Sequence, residues 1–203
     1  MAHIETLEQL EAVYGKPHEM SLTKEVPKII PHYRRFIEVS PFCTMATVSE
    51  QGMDCTPRGD LPGFVRVHDE RTLMMPDRHG NNRVDSLATL VRDPRIALCF
   101  LIPGSNSCLR VNGRAVISVD EELLSSFAVE GKAPRSVIVI HTQAIYFQCG
   151  RAILRSKLWQ QDAQIDPDSV PKPGEVIAWL TDNKFDGAAY DDAWIERAKK
   201  SLW

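Results

Sequence analysis

The chain has 203 residues, 43% hydrophobic and 25% charged, with a formal net charge of −3. That length favours one buried core with helical additions, and the slight acidity argues against a general attraction to nucleic acid or acidic membranes. No uncharged apolar run reaches about 18 residues, which argues against a membrane span. The N-terminus lacks the pattern of a signal peptide, so we expect a cytoplasmic protein.

The cysteines are five in number and widely spaced, and no C-x-x-C pair occurs among them. We interpret them as reduced, mostly buried small hydrophobes rather than as a redox pair or zinc ligands. The six histidines form neither H-x-x-x-H nor H-E-x-x-H. We therefore expect no metal site.

Two helices are predicted before the first strand. Apolar residues recur at helical spacing from Ile4 to Tyr14, which predicts a short amphipathic helix ending at Gly15. A second helix is predicted to begin near Pro31, because proline suits the first helical position, and to stop before Ser40-Pro41.

The central region, from Phe42 to Gly150, is dominated by strand-like runs separated by turn signals. These runs predict six or seven strands, with one helix after the run T-L-M-M-P. An antiparallel sheet of this size must protect its edges, so closure into a barrel is favoured. Two further helices are predicted, one starting at Asp120 and one from Gly150 to Leu158.

The C-terminal region begins with a polar, proline-containing loop after Trp159. Helices are predicted over 176–181 and 193–203. We expect a single domain over 1–203, made of an N-terminal helical extension (1–40), a barrel core (42–159) and a C-terminal loop with helices (160–203).

A candidate anion site lies where the strand from Leu73 enters a Gly/Asn-rich turn and then a helix. Asn81 or Asn82 is predicted as the N-cap and Arg83 lies in the next turn, so amides, backbone N–H groups and a guanidinium meet at the positive end of the helix dipole. Asp85 would oppose an anion unless it turned outward. The alternative is an ordinary cap beside a surface arginine. The turn has neither the P-loop nor the dinucleotide-binding glycine pattern.

A second cluster is C-T-P-R-G-D, in which Arg58 stands between a stiff proline and a flexible glycine. This suits a guanidinium held over a ligand, or a surface ion pair of Arg58 with Asp60. Arg66 interrupts an apolar strand and is either solvated or directed into a polar cleft.

Two more clusters contain arginines. Arg151 and Arg155 are four apart on a predicted helix, and Trp159 is four further along, which gives a platform for a flat anionic ligand or a core tryptophan beside solvated arginines. Arg110 and Asn112 share one side of a strand.

These motifs, taken in order, resemble the FMN-binding proteins related to pyridoxamine 5′-phosphate oxidase. The resemblance runs from about Phe42 to Trp159 and rests on P-R-G-D-x-P-G-F-V, T-L-M-M-P-D-R-H-G-N-N-R-V-D-S-L, D-P-R-I-A-L-C-F-L-I-P-G, L-R-V-N-G-R-A and C-G-R-A-I-L-R-S-K-L-W. It implies a mainly β fold with flanking helices, an antiparallel FMN-binding split β-barrel of Greek-key type. It also implies a homodimer with two FMN molecules at the interface, each touched by both chains.

The resemblance further implies which residues bind FMN. The phosphate contacts would be Asn81, Asn82 and Arg83, with Arg58 or Arg66. The isoalloxazine edge would run along Met75, Pro76 and Asp77. The partner chain would supply Cys108, Arg110, Arg155, Ser156 and Trp159. The sequence assigns no catalytic residue, and Arg83→Ala is expected to weaken FMN binding by about 1.5–3 kcal/mol.

Two departures separate the chain from the vitamin B6 oxidase itself. The tail from Ile177 lacks that enzyme's Arg/His signature, and Cys108 stands where the enzyme usually has glutamine. We therefore expect an oxidoreductase that passes electrons between reduced FMN and an unidentified small molecule or oxygen. The alternative is a non-catalytic flavin-binding stress or sensor protein, favoured if Trp159 or the C-terminal helix plugs the site.

Overall fold

The computed structural model describes residues 2–202, which contain seven strands and nine α-helices. The strands are β1 (Phe42–Ser49), β2 (Gly52–Gly59), β3 (Arg66–Val67), β4 (Thr72–Asp77), β5 (Arg95–Leu101), β6 (Cys108–Ser118) and β7 (Ser136–Gln148). The helices are α1 (Leu7–Tyr14), α2 (Glu19–Thr23), α3 (Pro31–Val39), α4 (Asp85–Arg92), α5 (Glu121–Ser126), α6 (Arg151–Ser156), α7 (Pro173–Leu180), α8 (Gly187–Asp192) and α9 (Trp194–Lys200).

The strands form one antiparallel sheet in the order β2-β1-β5-β6-β7-β4-β3, so β2 and β3 are its edges. In a flat sheet, β2 and β4 would be five strand spacings apart, roughly 24 Å. Arg58 on β2 nevertheless forms an ion pair with Asp77 on β4. The sheet is therefore rolled into a barrel that is split on this side, which confirms the predicted split-barrel fold.

Side-chain alternation places charged residues inside the mouth of the barrel. Arg58 is paired in register with Cys43, which is fully buried in the core. Asp77 follows Met75 by two residues on β4, and Met75 is also fully buried. Because side chains two apart on a strand share a face, Arg58 and Asp77 both point inward at the split.

Two helices pack on the core beside the sheet. Tyr33 and Ile37 of α3 are buried, and α4 buries Thr89 and Leu90. The Ser86 hydroxyl of α4 donates a hydrogen bond to the inward-facing Asp54 carboxylate of β2. This bond ties α4 to the strand that forms one side of the split.

Several predicted boundaries are confirmed and others are wrong. The first helix ends at Gly15, which has φ +67°, and α3 begins at Pro31. The apolar strand predicted around Arg66 is only two residues long, and α2 and α8 were not predicted. The helix predicted over 150–158 ends early because Lys157 adopts a left-handed conformation. The last helix ends at Lys200, and the predicted end at Trp203 lies outside the described residues.

The outer face of the sheet carries small side chains across four neighbouring strands. Cys55, Ala46, Ala97 and Asn112 are aligned in register from β2 through β1 and β5 to β6. Each remains half-exposed or exposed, and they border an open groove of about 450 Å³. We call this row, together with Met53, the outer face. No helix in residues 2–202 is long and apolar enough to cross a membrane.

Candidate functional site

A cavity of about 290 Å³ opens at the split of the barrel, close to the lower end of the range for ligand pockets. It lies between β2, the end of β4, the turn at 78–84 and the residue that precedes β7. Its charged lining comprises Arg58, Arg78, Arg83, Arg135, Asp60 and Asp77. Arginines outnumber carboxylates by two, so the cavity favours an anion.

Arg58 and Asp77 face each other across the split. Their side chains are only 22% and 13% exposed, and Arg58 Nη1 donates to Asp77 Oδ1. Arg58 Nε is buried and has no hydrogen-bond partner among the described residues. The alternative pairing of Arg58 with Asp60 is wrong, because Asp60 accepts from Arg78 Nε at 2.9 Å. Two ion pairs thus line the mouth of the barrel.

The turn before α4 differs from the predicted helix start. Asn81 Oδ1 accepts a hydrogen bond from the Arg83 backbone N–H at 3.0 Å, and Asn82 adopts a left-handed conformation with φ +61°. Both features are typical of asparagine in turns. The helix therefore begins only at Asp85, with Val84 as its N-cap, and the predicted N-cap role of Asn81 or Asn82 is wrong.

Arg83 reaches the rim of the cavity but is already paired. Its Nε lies 2.5 Å from Asp85 Oδ2, and the two side chains are 79% and 55% exposed. This hydrogen bond with Asp85 raises the pKa of the Arg83 guanidinium. Asp85 therefore turns toward Arg83 and competes with any anion for it.

Arg135 is a cavity residue that the sequence analysis missed. Its Nη1 donates to Asn82 Oδ1 at 2.6 Å, although the two residues are 53 apart in the chain. In the sequence it stands alone before a strand, and no local pattern separates it from an ordinary surface arginine. Only the pairing of β4 with β7 brings it to the cavity.

The residues predicted from the sequence are only partly brought together. The cavity is lined by Arg58, Pro76, Asp77, Asn81, Asn82 and Arg83. Met75 is fully buried in the core and does not line the cavity. The Arg66 guanidinium donates to the Ser126 carbonyl at 2.8 Å and lies 3.8 Å from the Phe127 ring centroid. Of the two candidate arginines, Arg58 alone lines the cavity.

A second group of predicted residues lies around the turn between β5 and β6. Arg110 is exposed, with its guanidinium carbon 5.0 Å from the Tyr146 ring centroid, and Cys108 is buried. The Trp159 indole N–H donates to the Ser105 carbonyl at 2.7 Å. None of these residues lines the cavity of its own chain.

The helix α6 does not form the predicted platform of two arginines and a tryptophan. It ends at Ser156, whose hydroxyl donates to the Ile153 carbonyl, and Arg155 is exposed in its last turn. Because the left-handed Lys157 turns the chain away, Trp159 does not continue the stripe of Arg155. A Cβ on Gly150 would lie 1.6 Å from the Asn106 carbonyl oxygen, so glycine is required where α6 meets the β5–β6 turn.

The five cysteines are free, as predicted, but only Cys43 and Cys108 are buried, while Cys55 and Cys149 are exposed. Burial raises the pKa of Cys43 to about 12 and that of Cys99 to about 11. Cys43 and Cys99 are therefore protonated at neutral pH, and neither is an activated nucleophile.

The fold and the cavity together define a split-barrel protein with an arginine-rich cavity at its split. The family model for pyridoxamine 5′-phosphate oxidase matches residues 29–149, more than half of the chain. The chain belongs to the pyridoxamine 5′-phosphate oxidase family, which confirms the resemblance seen in the sequence. No curated protein matches the chain significantly.

Three solved structures are similar to parts of the chain. HupZ from group A Streptococcus is 20% identical, with 58% of this chain and 91% of that chain covered and a TM-score of 0.47. A putative pyridoxamine 5′-phosphate oxidase from Lactobacillus delbrueckii is 16% identical, with coverages of 60% and 95% and a TM-score of 0.47. An FMN-binding protein from Syntrophomonas wolfei is 11% identical, with coverages of 70% and 95% and a TM-score of 0.43. At this similarity none of them decides what this chain binds.

Proposed function

We propose that the protein is a homodimeric FMN-binding oxidoreductase that passes electrons between reduced FMN and a small molecule or oxygen. The FMN phosphate would lie in the cavity at the split. The observation that carries the proposal is the buried Arg58 Nε without an acceptor, in a cavity where arginines outnumber carboxylates by two. Membership of the family supports the choice of FMN as the phosphate-bearing ligand.

The cavity fits a phosphate by its donors. A buried N–H without an acceptor costs about 1–3 kcal/mol, and a phosphate oxygen reached by rotation of the Arg58 guanidinium would relieve that cost. Arg83 and Arg135 add charge-assisted donors at the rim, and the Asn82 amide adds a neutral one. These residues would bind and orient the phosphate end of the ligand.

The remaining contacts would come from the partner. FMN, when bound, supplies the electron-transfer chemistry, while the protein supplies binding and orientation. We assign the second group, Cys108, Arg110, Arg155, Ser156 and Trp159, to the partner's FMN, because within one chain this group does not line the cavity. Since the Trp159 indole is bonded to Ser105, it does not block the cavity of its own chain.

The outer face supports the homodimer. Met53 is 86% exposed, and the small side chains of Ala46 and Ala97 beside it allow close approach of another surface. Met53 thus exposes apolar surface beside side chains that are small and partly accessible, which suits an interaction surface. We propose that a second copy covers it, which would carry residues of one chain to the cavity of the other.

The test is to purify the protein, record the flavin absorbance bands and titrate the apo form with FMN. Stopped-flow mixing with NADH and NADPH then tests for reduction, and admission of oxygen tests for reoxidation. A yellow dimer that is reduced and reoxidised supports the proposal. Colourless, monomeric protein that ignores added FMN overturns it, and FMN binding without any reduction supports the sensor alternative instead.

A further inference from the structure

The four arginines of the cavity differ in what holds them. Arg58, Arg78 and Arg83 each form an ion pair with a carboxylate, contributed by Asp77, Asp60 and Asp85 respectively. Arg135 differs, since its guanidinium donates to the neutral side-chain oxygen of Asn82. Within residues 2–202, Arg135 has no carboxylate oxygen within 4.0 Å of its guanidinium nitrogens.

This difference decides which cation is most available to a dianion. An anion that approaches Arg58 or Arg83 must compete with a carboxylate for the same guanidinium. An anion that approaches Arg135 competes only with a neutral amide oxygen. Because the Arg135–Asn82 hydrogen bond lacks the Coulomb attraction between opposite charges that the three ion pairs have, exchange at Arg135 is the most favourable of the four.

The position of Arg135 is fixed by its backbone. Its N–H donates to the Asp77 carbonyl at 3.0 Å, and the next residue, Ser136, pairs with Asp77 in the β4–β7 ladder. The backbone of this exposed residue is therefore held at the wall of the cavity before any ligand arrives, and the hydrogen bond to Asn82 holds its guanidinium there. A preorganised guanidinium loses less entropy when it binds.

Arg135 also sets the orientation of an amide. Because Asn82 Oδ1 accepts from Arg135, the NH₂ group of Asn82 remains a donor on the other side of the amide. The left-handed backbone at Asn82 holds this side chain at the cavity. Arg135 would thus supply one cation and align one neutral donor.

We propose that Arg135 selects for a phosphomonoester at this cavity and so makes the protein discriminate FMN from riboflavin. This inference rests on the proposed flavin function. It assigns the discrimination to a residue far in sequence from the turn at Asn81–Arg83. The residues assigned above to the flavin ring, which FMN and riboflavin share, do not include Arg135.

The test compares FMN and riboflavin titrations of the full-length apo protein by flavin fluorescence. We expect Arg135→Gln to weaken FMN binding about 10–100-fold, the worth of one charge-assisted contact, and to leave riboflavin affinity within about twofold. Arg135→Lys keeps the charge but loses the planar, two-pronged donor geometry of the guanidinium, so its FMN affinity should lie between those of the wild type and Arg135→Gln. Arg35→Gln, at an exposed position of α3 outside the cavity, is the matched control and should resemble the wild type.

Inorganic phosphate provides a second readout. Added as a competitor, it should raise the apparent Kd for FMN in the wild type and should do so less in Arg135→Gln. Equal losses of FMN and riboflavin would show a structural role and overturn the proposal. Unchanged FMN binding in Arg135→Gln would refute the assignment alone, whereas a wild type that binds neither flavin refutes the proposed function and the assignment with it.

Discussion

The cavity at the split and the surface around Arg110 hold their arginines in different ways. In the cavity, each arginine is held by a carboxylate or an amide of the same chain, and Arg58 and Asp77 are largely buried. At the other surface, Arg110 is exposed, and the contact described for it is the ring of Tyr146. The cavity is therefore preorganised within one chain, whereas the surface around Arg110 is open to a partner.

The two regions therefore depend on assembly to different degrees. An anion site built from internal ion pairs persists in an isolated chain. A site that also needs Arg110 and Trp159 from a second chain is completed only in a dimer. Loss of the proposed dimer should therefore remove the ring contacts that the partner chain would supply to FMN and leave the phosphate contacts.

The largest effect on assembly and on FMN affinity is expected from Ala97→Glu on the outer face. A two-fold dimer would bury this carboxylate twice without a cation, at a cost of several kcal/mol per site. We expect a monomer by light scattering at micromolar concentration and an FMN affinity reduced at least about 100-fold. Ala163→Glu, at an exposed position outside the outer face, is the control and should remain dimeric. A dimer in Ala97→Glu would place the interface elsewhere.

The second-largest effect is a loss of folding stability when the ion pair of Arg58 and Asp77 across the split is broken. Arg58→Ala leaves the Asp77 carboxylate, 13% exposed, without its cation. Fully buried pairs lose about 3–5 kcal/mol on such a change, and the partial exposure here reduces our expectation to about 2–3 kcal/mol. Urea unfolding of the apo protein at fixed chain concentration measures it.

Two variants make this measurement specific. Lys28→Ala breaks an exposed pair with Glu70, whose side chains are 52% and 63% exposed, and should cost less than about 1 kcal/mol. Adding Asp77→Asn to Arg58→Ala should recover part of the loss, because it removes the unpaired charge. Equal destabilisation by Arg58→Ala and Lys28→Ala would show that the split is not closed by this pair.

The fold was predictable where local chemistry decides it. Proline at the start of α3, Gly15 at the end of α1 and alternation along β1 and β4 gave the elements, and the chain's own motifs gave the family. The cavity was predictable only in part. The turn residues Asn81–Arg83 were found because they are contiguous, but their relation to α4 was missed because the Asn81 side chain closes a turn instead of capping the helix.

The remaining site residues depend on contacts between distant parts of the chain. Arg135 contacts Asn82 because β4 and β7 pair. Asp60 forms its ion pair with Arg78 and not with Arg58, because β2 and β4 meet across the split. Arg66 was an equal candidate by sequence, yet Phe127 and Ser126 hold it outside the cavity. Spacing along the chain carries no information about such pairings.

A smaller effect is expected from Arg83→Ala. The Arg83 guanidinium is 79% exposed and paired with Asp85. A phosphate that binds it must replace the Asp85 carboxylate, so it gains less binding free energy than it would from an unpaired guanidinium. FMN affinity is expected to fall about 3–10-fold. This is a smaller loss of binding free energy than the value of about 1.5–3 kcal/mol expected from the sequence. FMN titration beside Arg135→Gln measures the ranking. A larger loss in Arg83→Ala than in Arg135→Gln would reverse the order of the two arginines.

The smallest expected change is in the labelling of the Cys55 thiol. It tests directly whether a partner chain covers the outer face. Cys149 and Cys55 are exposed in the single chain, and Cys55 belongs to the outer face. A maleimide at pH 8 should therefore label Cys149 in the wild-type dimer, and both Cys149 and Cys55 in monomeric Ala97→Glu. Mass spectrometry of the labelled peptides measures this difference.

Two thiols with raised pKa values supply the pH dependence of the same experiment. Cys99 and Cys43 have pKa values raised to about 11 and about 12, so both stay protonated at pH 8 and should not react. Above pH 9 the unfolded chain loses these protons before the folded chain does, so stability falls as pH rises toward 11, and labelling of Cys99 should precede that of Cys43. If Cys55 reacts equally fast in the wild-type dimer and in Ala97→Glu, the outer face is not the dimer interface, and Arg110 must reach a partner by another surface.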